Sequence, residues 1–162
     1  MSLSKIMRLS VAGTGILFAL APAFGRDTRA GTLHLTGAWS RPTPPAAPAG
    51  VGYLSIVNAG PRADRLLGGT SSAVERVEIH EMKLTDGIMR MRPVSGGVPV
   101  QPGKTVTFAP GGYHLMLVGP KQPLVVGGAV PITLRFQRAG AVKVSFDVRA
   151  TPPVSIASEQ AR

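Results

Sequence analysis

Two histidines in this sequence, His80 and His114, are each followed two residues later by a methionine, Met82 and Met116, and Met89 and Met91 lie shortly beyond Met82. Imidazole nitrogens and thioether sulfurs are uncharged donors. Together they suit Cu(I) and disfavour Mg, Ca or Mn, which take hard oxygen ligands. A monovalent ion also tolerates a neutral ligand set better than a divalent one. Methionine on an alternating strand is ordinarily a core filler, and a lone histidine is ordinarily structural. What sets these residues apart is the repetition of His-x-Met in a chain with only 3 His and 6 Met, of which Met1 and Met7 fall at the N-terminus. His34 has no Met or carboxylate beside it and reads as a strand or surface histidine.

The elements that must position these side chains are strands. Val74 to Val94 reads as a hairpin turning at Asp86-Gly87. A two-residue loop there pairs Thr85 with Ile88, Leu84 with Met89 and Met82 with Met91, and leaves His80 diagonal to Met91. Because side chains alternate across a strand, His80, Met82, Leu84, Met89 and Met91 share one face, and Glu81, Lys83, Arg90 and Arg92 take the other. The same alternation in Tyr113 to Val118 puts His114 and Met116 together, opposite Tyr113, Leu115 and Leu117, which face the core.

Further short strands fit 32–36, 52–58, 98–101, 105–108, 130–136 and 142–148, separated by Pro-Gly, Gly-Gly or Ala-Gly turns. Arg41 to Pro48 is too rich in proline for a central strand and reads as an extended loop. Residues 26–31 read as a leader to the domain, and Trp39 and Tyr53 as core aromatics with polar tips. No window holds a helical period. The 162 residues, 44% hydrophobic with 20 Gly and 15 Pro, therefore predict one all-β domain, a sandwich or small Greek-key barrel.

Several chemistries are excluded or unsupported. The chain has no Cys, which removes disulfides, thiolate zinc sites, thiol nucleophiles and thiolate-dependent blue-copper centres. Asp64, Glu75, Glu78 and Glu81 form no evident acid/base dyad, no Ser lies in a Gly-x-Ser-x-Gly elbow, and Gly68-Gly69 and Gly127-Gly128 lack a phosphate-loop pattern. Catalysis is not indicated.

The N-terminus has the form of an export signal. Lys5 and Arg8 precede an apolar run from Leu9 to Leu20, and small residues follow at Ala21 to Gly25. The run is short of the roughly 20 residues that a membrane span needs. The expected organisation is a signal at 1–25, cleaved near residues 23–25, a domain at 26–150 and a short flexible tail at 151–162. Removal of 1–25 takes Lys5 and Arg8 and no acid, lowering the formal charge from +10 to +8. Such a basic surface suits an acidic protein partner or proximity to a membrane surface. Export and the lack of aromatics interleaved with basic residues argue against nucleic acid.

With these residues in view, the sequence resembles the PCuAC family of exported bacterial copper chaperones. The signature is a His, ten residues, a Met, a longer gap and His-x-Met, matched by His80, Met91, His114 and Met116 with 22 residues between Met91 and His114. Ala38-Trp39-Ser40-Arg41, Arg76 to Met82, Gly87 to Val94 and Pro110 to Leu117 agree in context, and the likeness spans about residues 32 to 149. The resemblance implies a cupredoxin-like or immunoglobulin-like β-barrel and one Cu(I) held by His80, Met91, His114 and Met116. Met82 and Met89 fall outside the pattern and stand as supporting or alternative thioethers. The resemblance also implies delivery to the CuA site of cytochrome c oxidase subunit II, alongside a Sco-type thiol chaperone, by a monomeric carrier that is not an enzyme. Thr151 to Arg162 lacks the His/Met-rich extension of some relatives. Copper sequestration for tolerance would use the same residues, and a docking module without metal would return the methionines to the core.

Overall fold

The computed structural model describes residues 27–153, all of whose regular elements are strands. In chain order these are β1 (Thr28–Ala30), β2 (Leu33–Ser40), β3 (Ala49–Asn58), β4 (Asp64–Thr70), β5 (Val74–Thr85), β6 (Ile88–Pro93), β7 (Val98–Val100), β8 (Thr105–Phe108), β9 (Tyr113–Pro120), β10 (Ala129–Phe136) and β11 (Gly140–Val148). The expected signal at 1–25 and the tail beyond residue 153 lie outside the described residues.

Binary patterning explains the sheet. In the β10–β11 hairpin, Val130, Ile132, Leu134 and Phe136 pack inward with Val142, Val144, Phe146 and Val148, while Arg135 and Lys143 face out. This strict period of two fixes register, because a slip by one residue would expose the whole apolar set. Going round the sheet, β5 is followed by β9, β8, β3, β2, β11, β10 and β4, and a single pairing of Gly69 with Val77 joins β4 back to β5. The result is a closed eight-strand barrel. β6 hangs from β5, β7 from β4 and β1 from β2, and the β2–β11 and β8–β9 pairings are parallel. Closure leaves few free edges.

Two strands escaped the sequence pattern. β4 carries Gly68-Gly69, in a stretch to which the sequence pattern assigns no strand, yet β4 lies between β10 and β5 and completes the ring. A Cβ on Gly69 would come within 3.0 Å of the Thr133 carbonyl oxygen, so the missing side chain is what lets β4 approach β10. β1, expected to be a leader, pairs with β2 through Thr28–Leu35, Arg29–His34 and Ala30–Leu33.

β2 also continues past Thr36, where an extra residue shifts its register on β3. Gly37, at φ 59°, lies in this bulge. The shift reverses the inward parity: Leu33, Leu35 and then Ala38 face the main core, and Trp39 is turned to the outer face. There Trp39 lies across from Tyr53, with ring centroids 5.0 Å apart, in a small separate cluster with Ala109. Both aromatics are buried, as expected, but outside the main core.

Candidate metal centre

The site is assembled on the outer face of β5, β6 and β9. On β5 the inward residues are Val77 and Ile79, so Glu78, His80 and Met82 point away from the core. On β9 the inward residues are Leu115 and Leu117, so His114 and Met116 share the outer face. The β5–β9 ladder sets His80 directly opposite His114 and Glu78 opposite Met116. The two imidazole rings are 5.8 Å apart, centroid to centroid.

The β5–β6 hairpin has the register that the Asp86-Gly87 turn predicts, with Met82 opposite Met91, Leu84 opposite Met89 and Thr85 opposite Ile88. His80 is in register with Pro93, which places Met91 on its diagonal. The tight turn is possible because Asp86 and Gly87 both adopt positive φ, 53° and 75°. On the β3 side of β9, Val51 is in register with Met116 and packs against the Trp39–Tyr53 cluster. An apolar floor thus continues beside the His/Met residues. His34 lies on β2, away from this face.

Hydrogen bonds fix which ring nitrogen carries the proton. His114 Nδ1 is 3.2 Å from the Gly112 carbonyl oxygen. A carbonyl only accepts, so Nδ1 is the protonated nitrogen and Nε2 keeps its lone pair. The same carbonyl accepts the Met82 amide, tying the turn before β9 to β5. His80 Nε2 lies 3.0 Å from Glu78 Oε2, and Arg76 Nε donates to Glu78 Oε1 at 3.1 Å. The carboxylate likewise only accepts, which leaves Nδ1 as the free lone pair of His80. That nitrogen is buried and has no hydrogen-bond partner. An orphaned acceptor in an imidazole held by a carboxylate is the usual arrangement of a metal-ligating histidine.

Electrostatics keep His114 ready for a cation other than a proton. Burial pushes the His114 pKa below its usual 6.5; the Gly112 bond opposes this and the charge of a protonated His80 would add to it. The hydrogen bonds from His80 and Arg76 hold the Glu78 carboxyl below its usual 4.5, so it stays ionised beside His80. Among the described residues no three His, Asp or Glu side chains converge to hold a metal ion. The other donors on this face are the thioethers.

Depth distinguishes the donors. The His80 side chain is 12% exposed and His114 is 5% exposed, whereas Met89 and Met91 are each 48% exposed. Instead of an evenly exposed cluster, the imidazoles form a largely buried floor beneath an open thioether rim. Glu78 is the residue that sequence reasoning passed over. Its signal was the Glu-x-His spacing, which on a strand puts both side chains on one face.

The family model LpqE-like, named for a lipoprotein, matches residues 33–148, which span the barrel from β2 to β11. The chain belongs to this LpqE-like, PCuAC-type family. A protein of Leifsonia xyli subsp. xyli named as a lipoprotein, Lxx21020, is 33% identical over 97 residues. That match spans 60% of this chain and 58% of the Leifsonia protein. Among solved structures, the copper-bound PCuAC domain from PmoF2 is 28% identical with a TM-score of 0.67, covering 78% of this chain and 99% of that domain. The solution structure of CuI-DR1885 from Deinococcus radiodurans is 25% identical with a TM-score of 0.55, covering 80% of this chain and 85% of that one. These likenesses bear out the cupredoxin-like barrel and the family assignment.

Proposed function

We propose that this protein is an exported Cu(I) carrier that binds one ion through His80 Nδ1, His114 Nε2, Met91 and Met116. The observation that carries the reading is the facing pair of imidazoles, His114 buried and His80 largely so, each with one nitrogen committed to an acceptor and the other left with its lone pair. Thioethers on the same face supply the soft donors that Cu(I) prefers. The copper named in the structures of PmoF2 and DR1885 supports the reading.

The same geometry supports carriage over catalysis. Four neutral ligands add no charge to offset, and thioethers leave a metal without needing a proton. Since the chain has no Cys, transfer runs downhill to any acceptor that presents thiolates. Such an acceptor is the CuA site of cytochrome c oxidase subunit II, with a Sco-type thiol chaperone as the other candidate recipient. The lipoprotein names in the family support export, and the basic charge suits work close to a membrane surface; the carrier we propose acts there, in the periplasm, as a monomer.

Incubating the copper-loaded protein with a reduced, metal-free fragment of oxidase subunit II tests the delivery step. The expected result is near-complete movement of copper to the fragment, at a rate that falls as salt is raised. Copper retained by the carrier would argue for sequestration.

A further inference from the structure

The hairpin that supplies Met91 carries two methionines that this ligand set leaves unused. Met82 and Met89 lie on the same face as His80 and Met91. Neither is accounted for by packing in the main core: Met82 is only partly buried, and Met89 is 48% exposed next to Leu84 at 63%. Met89 occupies the last row before the Asp86-Gly87 turn on that face.

The register reveals a repeat. His80 is opposite Pro93 and diagonal to Met91; one row outward, Met82 is opposite Met91 and diagonal to Met89. The diagonal that brings two proposed ligands together therefore recurs with a thioether at each end. Diagonal cross-strand Cβ atoms lie about 7–8 Å apart, within reach of long side chains. Rows on one face are spaced by two residues, ~6.8 Å along the strand. The second diagonal is thus one ligand-exchange step from the first.

We propose that Met82 and Met89 form a second, weaker Cu(I) site, a landing place through which the ion enters and leaves the His80/His114 centre by way of Met91. This inference rests on the copper reading above. The ion remains Cu(I) throughout. An arriving thioether donates its lone pair as a departing ligand withdraws, and no proton or electron moves. Being open to solvent at the hairpin tip, Met89 is the thioether an acceptor meets first.

Ag(I), a redox-inert soft d10 ion, is the probe, titrated into the protein carrying 13C-methyl methionine and observed by NMR. The first equivalent is expected to shift the His80 and His114 ring signals and the Met91 and Met116 methyls. The second is expected to shift the Met82 and Met89 methyls. In the Met82→Leu/Met89→Leu variant, which conserves side-chain volume, the first step should persist and the second disappear. A second equivalent that leaves both methyls in place, or a second step that survives in the variant, would overturn the landing site alone. A first equivalent that moves neither imidazole would overturn the carrier reading and this inference with it.

Discussion

Glu78 sets the tautomer in which His80 would offer Nδ1 to a metal. With the carboxylate 3.0 Å from Nε2, the ring is held with Nδ1 free; without it, the proton can take either nitrogen. Glu78→Gln keeps the shape, but its amide can also present a donor to the ring, so Cu(I) affinity should fall about 10–100-fold with the fold intact. Competition with a chromophoric chelator reads this, and an unchanged affinity would remove Glu78 from the site. His114 gives a pH prediction. Its folded pKa lies below the ordinary 6.5 because it is buried. As pH falls, the unfolded chain therefore takes up this proton first. The stability tied to a neutral His114 is complete above about pH 6.5 and is lost as pH falls through the folded value. Cu(I) affinity weakens over the same descent, because a protonated imidazole cannot bind a metal. Thermal unfolding of the metal-free protein from pH 8 to 5 should slope downward on the acid side, less so in His114→Gln; equal slopes would assign the effect elsewhere. At this scale the common face of His80 with Met91 and of His114 with Met116 was legible from strand alternation, while the choice of these four as a ligand set is what the family resemblance implied. The Glu78 contact was not legible, because a carboxylate two residues from a histidine on an exposed strand face is also common as plain solvated charge.

The β5–β6 hairpin was the most legible element. A two-residue Asp-Gly turn permits one register, and that register determines every cross-strand partner. β4 was the least legible, since its glycines signal a turn in sequence and serve close sheet packing in the fold. The Trp39 bulge was missed as well: one extra residue changes which face a side chain takes, and its one mark in the sequence, Gly37, coincides with the end of the alternating run at Thr36. Asp64 shows how β4 is held. Its buried carboxylate accepts the backbone amides of Arg65, Arg138 and Ala139, joining the start of β4 to the β10–β11 turn. Asp64→Ala strands buried donors and should cost at least about 2 kcal/mol. A lowered urea midpoint with unchanged slope would show it; a change below about 0.5 kcal/mol, the range of ordinary surface substitutions, would mean that water replaces the carboxylate.

For the molecule as a whole, the barrel provides a rigid wall on which two imidazoles from β5 and β9 face each other, while a projecting hairpin brings thioethers to the rim. The all-β class followed from composition and alternation, since short strands with frequent Gly and Pro leave little else. Barrel closure did not, because it depends on the single β4–β5 ladder pairing of Gly69 with Val77. The central claim, that the facing histidines and the two methionines hold Cu(I), is tested most directly by titrating Cu(I) under strict reduction against a chromophoric chelator, for the wild type and for Met91→Ala and His114→Ala. The predicted result is one tight equivalent for the wild type, weakened by at least roughly tenfold in each variant, a loss of about 1.4 kcal/mol. The absence of a tight equivalent, or one indifferent to both substitutions, would contradict the account and leave the face a packing surface of a basic β-barrel.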